Sequence, residues 1–214
     1  MPRPAAPKLF HIVHHDKLPF IIQDCHLFAD SVMQAKQGQG TVVGMSRIKE
    51  RRLRLPVDVH PGLTVGGCVP FYFGPRSVML YLLYAGNHAD ITYRGGQNPI
   101  VHVVFDLEAV AVWADQHNLR WAITLSNAGS NFFESRDNLS GLDELNWDAI
   151  AARDFRDRDI KEAKQAEFLV EERIPWELVE RIGVVNASMQ RAVERQLARA
   201  THRPRVDIHL DWYY

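Results

Sequence analysis

The pattern of apolar and polar positions sets out most of the elements. Residues 9–14 (LFHIVH) predict a first strand. Asp16 stands where it can cap a helix in which Leu18, Ile21, Ile22 and Cys25 recur at i, i+3, i+4 and i+7, with Pro19 tolerated in the first turn. Residues 29–44 have no period and carry Gly38, Gly40 and Gly44, which predicts a long loop; in compact domains such loops are functional or disordered. Residues 69–73 (VPFYF) predict a buried strand stopped by Gly74 and Pro75. Ser77 then caps an apolar helix, 78–84, closed by Gly86. After the turn at 95–99 comes a strand, 100–105. Asp106 caps a helix with Leu107, Val110, Ala111 and Ala114 on one face, and a strand at 121–124 follows.

The second half is less regular. Residues 125–159 are polar apart from a short helix at 147–151, and read as a substrate loop. Within 159–174 (DIKEAKQAEFLVEERI) the period changes: helix-favouring up to Gln165, strand-like from Glu167 onward. Two readings are open for Glu167. It is one more solvated acid, or it is a carboxylate held rigidly at a strand mouth, facing a cleft and suited to hydrogen bonding a sugar hydroxyl. Pro175 opens a short helix, and 182–185 is a strand. Ser188 caps a helix with Met189, Val193 and Leu197 inward and a basic stripe of Arg191, Arg195 and Arg199. Residues 205–212 alternate as a last strand. Strands slightly outnumber helices and interleave without strict βαβ regularity, which predicts an α+β fold around bent sheets.

Composition narrows the function classes. A length of 214 residues suits one well-buried core. With a net charge of −1, no global field drives the chain onto nucleic acid, so a basic surface must be local. The candidate is 45–55 (MSRIKERRLRL), where Arg51, Arg52 and Arg54 crowd beside Glu50. It is either a solvated helix face or a forked grip on phosphates. The start, MPRPAAPKLF, has no apolar core of a signal peptide, and the longest apolar stretch, 78–85, is too short to span a bilayer. Neither secretion nor a membrane is therefore expected. Cys25 and Cys68 form no C-x-x-C pair, the histidines show no metal spacing, and a reducing cytoplasm without a bound metal fits. Walker, G-x-G-x-x-G, G-x-S-x-G and H-E-x-x-H motifs do not occur.

With these residues laid out, the chain resembles the DarT family of bacterial toxins along nearly its whole length. The resemblance rests on HIVHHDKL (11–18), KERRLR (49–54), VPFYFGPRSVML (69–80), GGQNPI (95–100), LNWDAI (145–150), KQAEFLV (164–170) and the terminal DWYY. It implies one ADP-ribosyltransferase domain over 1–214: a split β-sheet core with peripheral helices and NAD in a central cleft. The implied activity is NAD-dependent mono-ADP-ribosylation of a nucleobase in single-stranded DNA, thymine more commonly and guanine in related members. The implied partner is an antitoxin of macrodomain-type hydrolase activity. By the same resemblance Glu167 and Arg52 are catalytic, and His11, Val13, Lys17, Arg52, Tyr72 and Met79 hold NAD. Residues 29–56 fold over NAD, and 125–159 engage DNA. Arg51, Arg54, Arg76 and Asn127 are the substrate-binding candidates.

The chain departs from the family pattern in places. Lys17 stands where Asn is common, and Val13 where Thr is. Gly66-Gly67-Cys68 replaces an HDY, and residues 124–128 (TLSNA) replace T-D-x-H-A, which leaves the modified base open. Two alternatives remain: a related transferase acting on RNA or protein, and an inactive nucleic-acid-binding module using the arginine stripe.

Overall fold

The computed structural model describes residues 1–36 and 39–214. Among these residues ten strands form: β1 (Lys8–His14), β2 (His26–Phe28), β3 (Cys68–Tyr72), β4 (Ile100–Asp106), β5 (Trp121–Asn127), β6 (Ser135–Arg136), β7 (Ala166–Glu171), β8 (Arg173–Pro175), β9 (Val179–Val184) and β10 (Arg205–Ile208). The helices are α1 (Leu18–Asp24), α2 (Asp30–Met33), α3 (Ser46–Arg52), α4 (Val78–Ala85), α5 (Leu107–Gln116), α6 (Trp147–Ala151), α7 (Arg158–Ala163) and α8 (Ala187–Leu197).

Eight strands make one mixed sheet in the order β10-β9-β4-β1-β3-β7-β5-β6, and β2 pairs with β8 in a separate ribbon. Every pairing in the large sheet is antiparallel except β9 with β10. β1 runs beside β4 over its full length but meets β3 only where Phe10 faces Tyr72. The sheet is therefore two half-sheets joined at a single residue pair. Below that pair the strands part, and a cleft opens. Both α+β content and an ADP-ribosyltransferase-like split sheet are present.

β4 is buried almost throughout, so both of its faces are packed. Val101, Val103 and Phe105 join Leu107, Val110 and Ala111 of α5 in the main core. On the other side Ile100 meets Leu80 and Leu83 of α4 together with Tyr213. Phe71, Phe105 and Phe168, one from each of three strands, are fully buried. Each such ring contributes roughly 1.5–3 kcal/mol of burial, so this core fixes the strands that carry the cleft.

Several local expectations are corrected. Asp16 does not cap α1: Lys17 occupies the cap position without a side-chain bond, and the Asp16 carboxylate turns to Thr41. Cys25 ends that helix in the left-handed region (φ 54°). Residues 29–44 are not all loop, since α2 forms one helical turn there. Gly38 lies outside the described residues. Asn186, not Ser188, caps α8 by accepting from the Met189 N–H. The last strand stops at Ile208 rather than 212. Beyond it the chain turns back so that the Trp212 ring stacks on His209 and fills the space beside Gly183, where any Cβ would collide with it. β2 and β8 were not expected, being three residues each.

Candidate active site at the split between the half-sheets

The period change around Glu167 has a structural cause. α7 ends at Ala163, two residues turn, and β7 begins at Ala166. Glu167 is thus the second residue of a central strand, opposite Tyr72 of β3. On its other side β5 departs from regular pairing: Ile123 faces Phe168 and Asn127 faces Ala166, so residues 124–126 bulge out opposite Glu167. The Thr124 hydroxyl accepts the Glu167 backbone N–H at 2.9 Å, supplying the bond that the bulge removes from the ladder.

Glu167 is 4% exposed. Its carboxylate is gripped by both ends of the Arg52 fork, Nη1 to Oε1 at 2.8 Å and Nη2 to Oε2 at 2.6 Å. Arg52 is the last residue of α3, 115 positions away in the chain. Its approach depends on Gly66, where a Cβ would lie 2.7 Å from the Leu53 nitrogen and 2.9 Å from the Arg52 carbonyl carbon. Burial opposes the Arg52 charge, but the facing Glu167 carboxylate more than offsets it and holds the guanidinium firmly protonated. Burial, reinforced by the Glu167 charge, pushes the Tyr72 phenol up as well.

Beside this pair lies a cavity of about 240 Å³. All six residues expected to hold NAD line it: His11 and Val13 from β1, Lys17 before α1, Arg52, Tyr72, and Met79 from α4. His11 donates from Nδ1 to the Pro70 carbonyl (2.8 Å), and burial holds its imidazole below the ordinary range although that carbonyl works the other way. The ring is therefore neutral, with Nε2 left as an acceptor. Burial, aided by Lys49, also lowers the Lys17 ammonium, against the pull of Asp30 and Asp16. Lys49 is ion-paired to Asp30 at 2.5 Å.

Sequence reasoning missed a whole wall of this cavity. Phe20 and Ile21 of α1 and Leu27 and Phe28 of β2 line it, beside Asp30, Met33 and Lys49, which fall within the 29–56 segment expected to cover NAD. The β2–β8 ribbon carries this wall and ties it to the chain just past Glu167, with Ala29 N–H bonded to the Glu172 carbonyl at 2.8 Å. A three-residue strand leaves no period to detect. Thr124 was noted only as part of a variant motif.

The four substrate-binding candidates are scattered. Arg51 and Arg54 are exposed around the end of α3, and Arg51 lies beside Gly129 of the β5–β6 connection. Asn127 sits next to the bulge, where its Oδ1 accepts the Gly129 N–H at 2.8 Å. Arg76 is engaged elsewhere: it donates to the Tyr213 carbonyl at 2.6 Å and lies over the Tyr214 ring, fastening the terminal residues. Arg191 and Arg195 are exposed on α8, while Arg199 falls beyond the helix end. A second groove, about 600 Å³, runs along the β5–β6 connection between Leu55, Pro56, Leu125, Phe132 and Phe133. Phe132 is 90% exposed there. Among the described residues no group of three or more acidic, histidine or cysteine side chains is placed to hold a metal ion, and no helix is long and apolar enough to cross a membrane.

Comparison with known proteins fits this geometry. The family model described as "ssDNA thymidine ADP-ribosyltransferase, DarT" matches residues 10–214. A DNA ADP-ribosyl transferase of Thermus sp. (strain 2.9) is 38% identical over 220 residues, covering 99% of this chain and 98% of its own length. The structure of Thermus sp. 2.9 DarT in complex with ADP-ribosylated ssDNA superposes with a TM-score of 0.89 at 34% identity, covering 100% of both chains. Its complex with NAD+ gives 0.84 at 34% identity, covering 99% of each. With a split sheet, a cavity at the split, and matches over essentially the full length, the chain belongs to the DarT family.

Proposed function

We propose that this chain transfers ADP-ribose from NAD to thymine in single-stranded DNA, as the toxin of a toxin–antitoxin pair acting in the cytoplasm. The broader statement, an NAD-dependent DNA ADP-ribosyltransferase, follows from membership of the family and from relatives of that activity matching end to end. One observation carries the residue-level reading: the bidentate Arg52–Glu167 pair stands at the sheet split, at the end of a cavity whose walls suit a dinucleotide.

The walls divide by chemistry. Val13, Phe20, Phe28 and Met79 offer apolar surface for flat rings, while Lys17, Lys49 and Arg52 converge as cations suited to a diphosphate. NAD supplies the ADP-ribosyl group and loses nicotinamide in the reaction. Its C–N cleavage develops positive charge on the ribose, so a fixed carboxylate nearby lowers the barrier. Glu167 retains acceptor sites even while Arg52 holds it, because a carboxylate has about four lone-pair sites and the fork uses two. Those sites, with Nε2 of neutral His11, can orient ribose hydroxyls. Arg52 cannot act as a base, since its guanidinium stays charged. As nicotinamide leaves, the thymine ring nitrogen forms the new C–N bond to the ribose and gives up its proton to solvent, while Arg52 stabilises the negative charge that develops on the base.

A base must be unstacked to reach this buried pair, which accounts for a single-stranded substrate. Exposed Phe132 at the second groove, with Arg51 beside Gly129 of the same β5–β6 connection, provides an aromatic and cationic surface of the kind that binds single strands. An antitoxin of macrodomain-type hydrolase activity would reverse the modification. The test is parallel incubation of the enzyme with labelled NAD and single-stranded DNA, duplex DNA, RNA or lysate protein. Label on single-stranded DNA, removed by a macrodomain hydrolase, supports the proposal; label on RNA or protein alone overturns it.

A further inference from the structure

We infer that Asp16 is a positioning residue that sets the NAD cavity by fastening one wall to the opposite one through Thr41. The inference rests on the cavity being the NAD site.

Asp16 lies in the single 3-10 turn, His15–Lys17, between β1 and α1. Its carboxylate accepts three contacts from a residue 25 positions later: the Thr41 N–H at 3.0 Å to Oδ1 and 3.2 Å to Oδ2, and the Thr41 hydroxyl at 2.6 Å to Oδ2. His14 Nδ1 stands 2.9 Å from Oδ1 on the other side. Bonds of this kind, in which the acceptor is charged, are short and about twice as strong as neutral ones. Asp16 itself does not line the cavity, but the residues at both ends of the tie do. Lys17 follows Asp16 on one wall, and Gln39, Val42, Val43 and Gly44 flank Thr41 on the other.

The approach of the two segments is close enough to constrain the residue before Thr41. Gly40 adopts φ +76°, and a Cβ there would lie 2.7 Å from Lys17 Cγ and 2.9 Å from Asp16 Oδ1. Both the backbone conformation and the space require glycine. A carboxylate used only as a helix cap would leave this loop unconstrained. Here the cap is given up, and the same charge closes a hydrogen-bonded link between the two segments. The described residues between α2 and α3 form no regular secondary structure; besides this tie, Val43 packs with Met45 against the cluster of Leu80 and Ile100.

The tie acts on binding rather than on chemistry. Loosening it lets the wall at residues 39–44 move while leaving Arg52, Glu167 and Tyr72 in place on the sheet and α3. The experiment measures NAD affinity by calorimetry, and kcat and KM for NAD at saturating oligonucleotide, for the wild type and for Asp16→Ala, Thr41→Val, Thr41→Ser and Gly40→Ala. A loss confined to ground-state binding shows as raised KM with kcat preserved. Asp16→Ala and Gly40→Ala are expected to raise KM and Kd for NAD by about ten- to a hundredfold with kcat within about threefold. Thr41→Val, which keeps the N–H but not the hydroxyl, gives a smaller rise, and Thr41→Ser restores wild-type values. Unchanged NAD affinity in both Asp16→Ala and Thr41→Val overturns the inference. So does a fall in kcat equal to the fall in kcat/KM. If Asp16→Ala fails to fold, Thr41→Val against Thr41→Ser decides. Failure of the wild type to bind NAD would instead overturn the assignment of the cavity, a result separate from any of these.

Discussion

Glu167→Gln separates the chemical role of the carboxylate from its structural one. The side chain keeps its size and one acceptor but loses its charge, leaving Arg52 buried without a counter-ion. Two unit charges about 4 Å apart at an effective dielectric of about 20 attract by about 4 kcal/mol. Removing one partner of a buried pair costs about 3–5 kcal/mol, in agreement. The Arg52 and Glu167 side chains are 12% and 5% exposed, so water relieves little of that penalty. For a chain of this size about 3 kcal/mol lowers the melting temperature by roughly 6–12 °C. Activity should fall further than stability explains: loss of one preorganised electrostatic contact costs ~10²–10³ in rate. The control is the double variant Glu167→Gln with Arg52→Met, which removes the stranded charge and should regain much of the lost stability. It should regain no activity. The assays are thermal unfolding and mass-spectrometric counting of modified oligonucleotide. A folded Glu167→Gln enzyme with more than about a tenth of wild-type rate would refute the reasoning.

Three further outcomes follow from particular contacts. Gly66→Val drives a side chain into the Arg52–Leu53 backbone, so it should displace Arg52 and depress kcat by at least tenfold, roughly, while melting falls only modestly; unchanged kcat would show that α3 tolerates the shift. Thr124→Val leaves the buried Glu167 N–H without its acceptor, costing about 1–3 kcal/mol and lowering kcat more than NAD affinity; equal loss in both would place Thr124 in binding instead. Burial holds His102 neutral, at about 4, against the weaker opposing effect of the Pro75 carbonyl. Between that value and the ordinary histidine range only the unfolded chain takes up this proton, so stability should decline as pH falls from 6.5, by about 2 kcal/mol at pH 5. His102→Gln should flatten that slope in denaturant titrations; an identical slope would assign the acid sensitivity to other groups.

How far the sequence disclosed these features depended on whether they have a local signal. The entry into β7 around Glu167 was legible because a helical period gives way to a strand there, and helix 147–151 stood out within a polar stretch. The split in the sheet was not legible from pattern, since it depends on β1 meeting β3 at one pair and β4 at seven. That is a property of pairing between distant segments. The convergence of Arg52 on Glu167 was inferred from resemblance, and what permits it, the missing side chain of Gly66, appears in the sequence only as a departure from the family pattern. Asp16 shows the opposite failure. Its position satisfied a local rule for capping, and a long-range hydrogen bond to Thr41 took the carboxylate instead. The β2–β8 wall escaped because short strands are held by the ribbon rather than by their own composition.

The central claim is that Arg52 and Glu167 direct ADP-ribose from the adjoining cavity onto thymine. It is tested most directly by incubating the enzyme and NAD with single-stranded oligonucleotides that each lack one of the four bases, then weighing the products. Oligonucleotides containing thymine should gain the mass of one ADP-ribose, and the one lacking it should not. Undiminished modification of the thymine-free strand, or modification that persists in Glu167→Gln, would contradict the account.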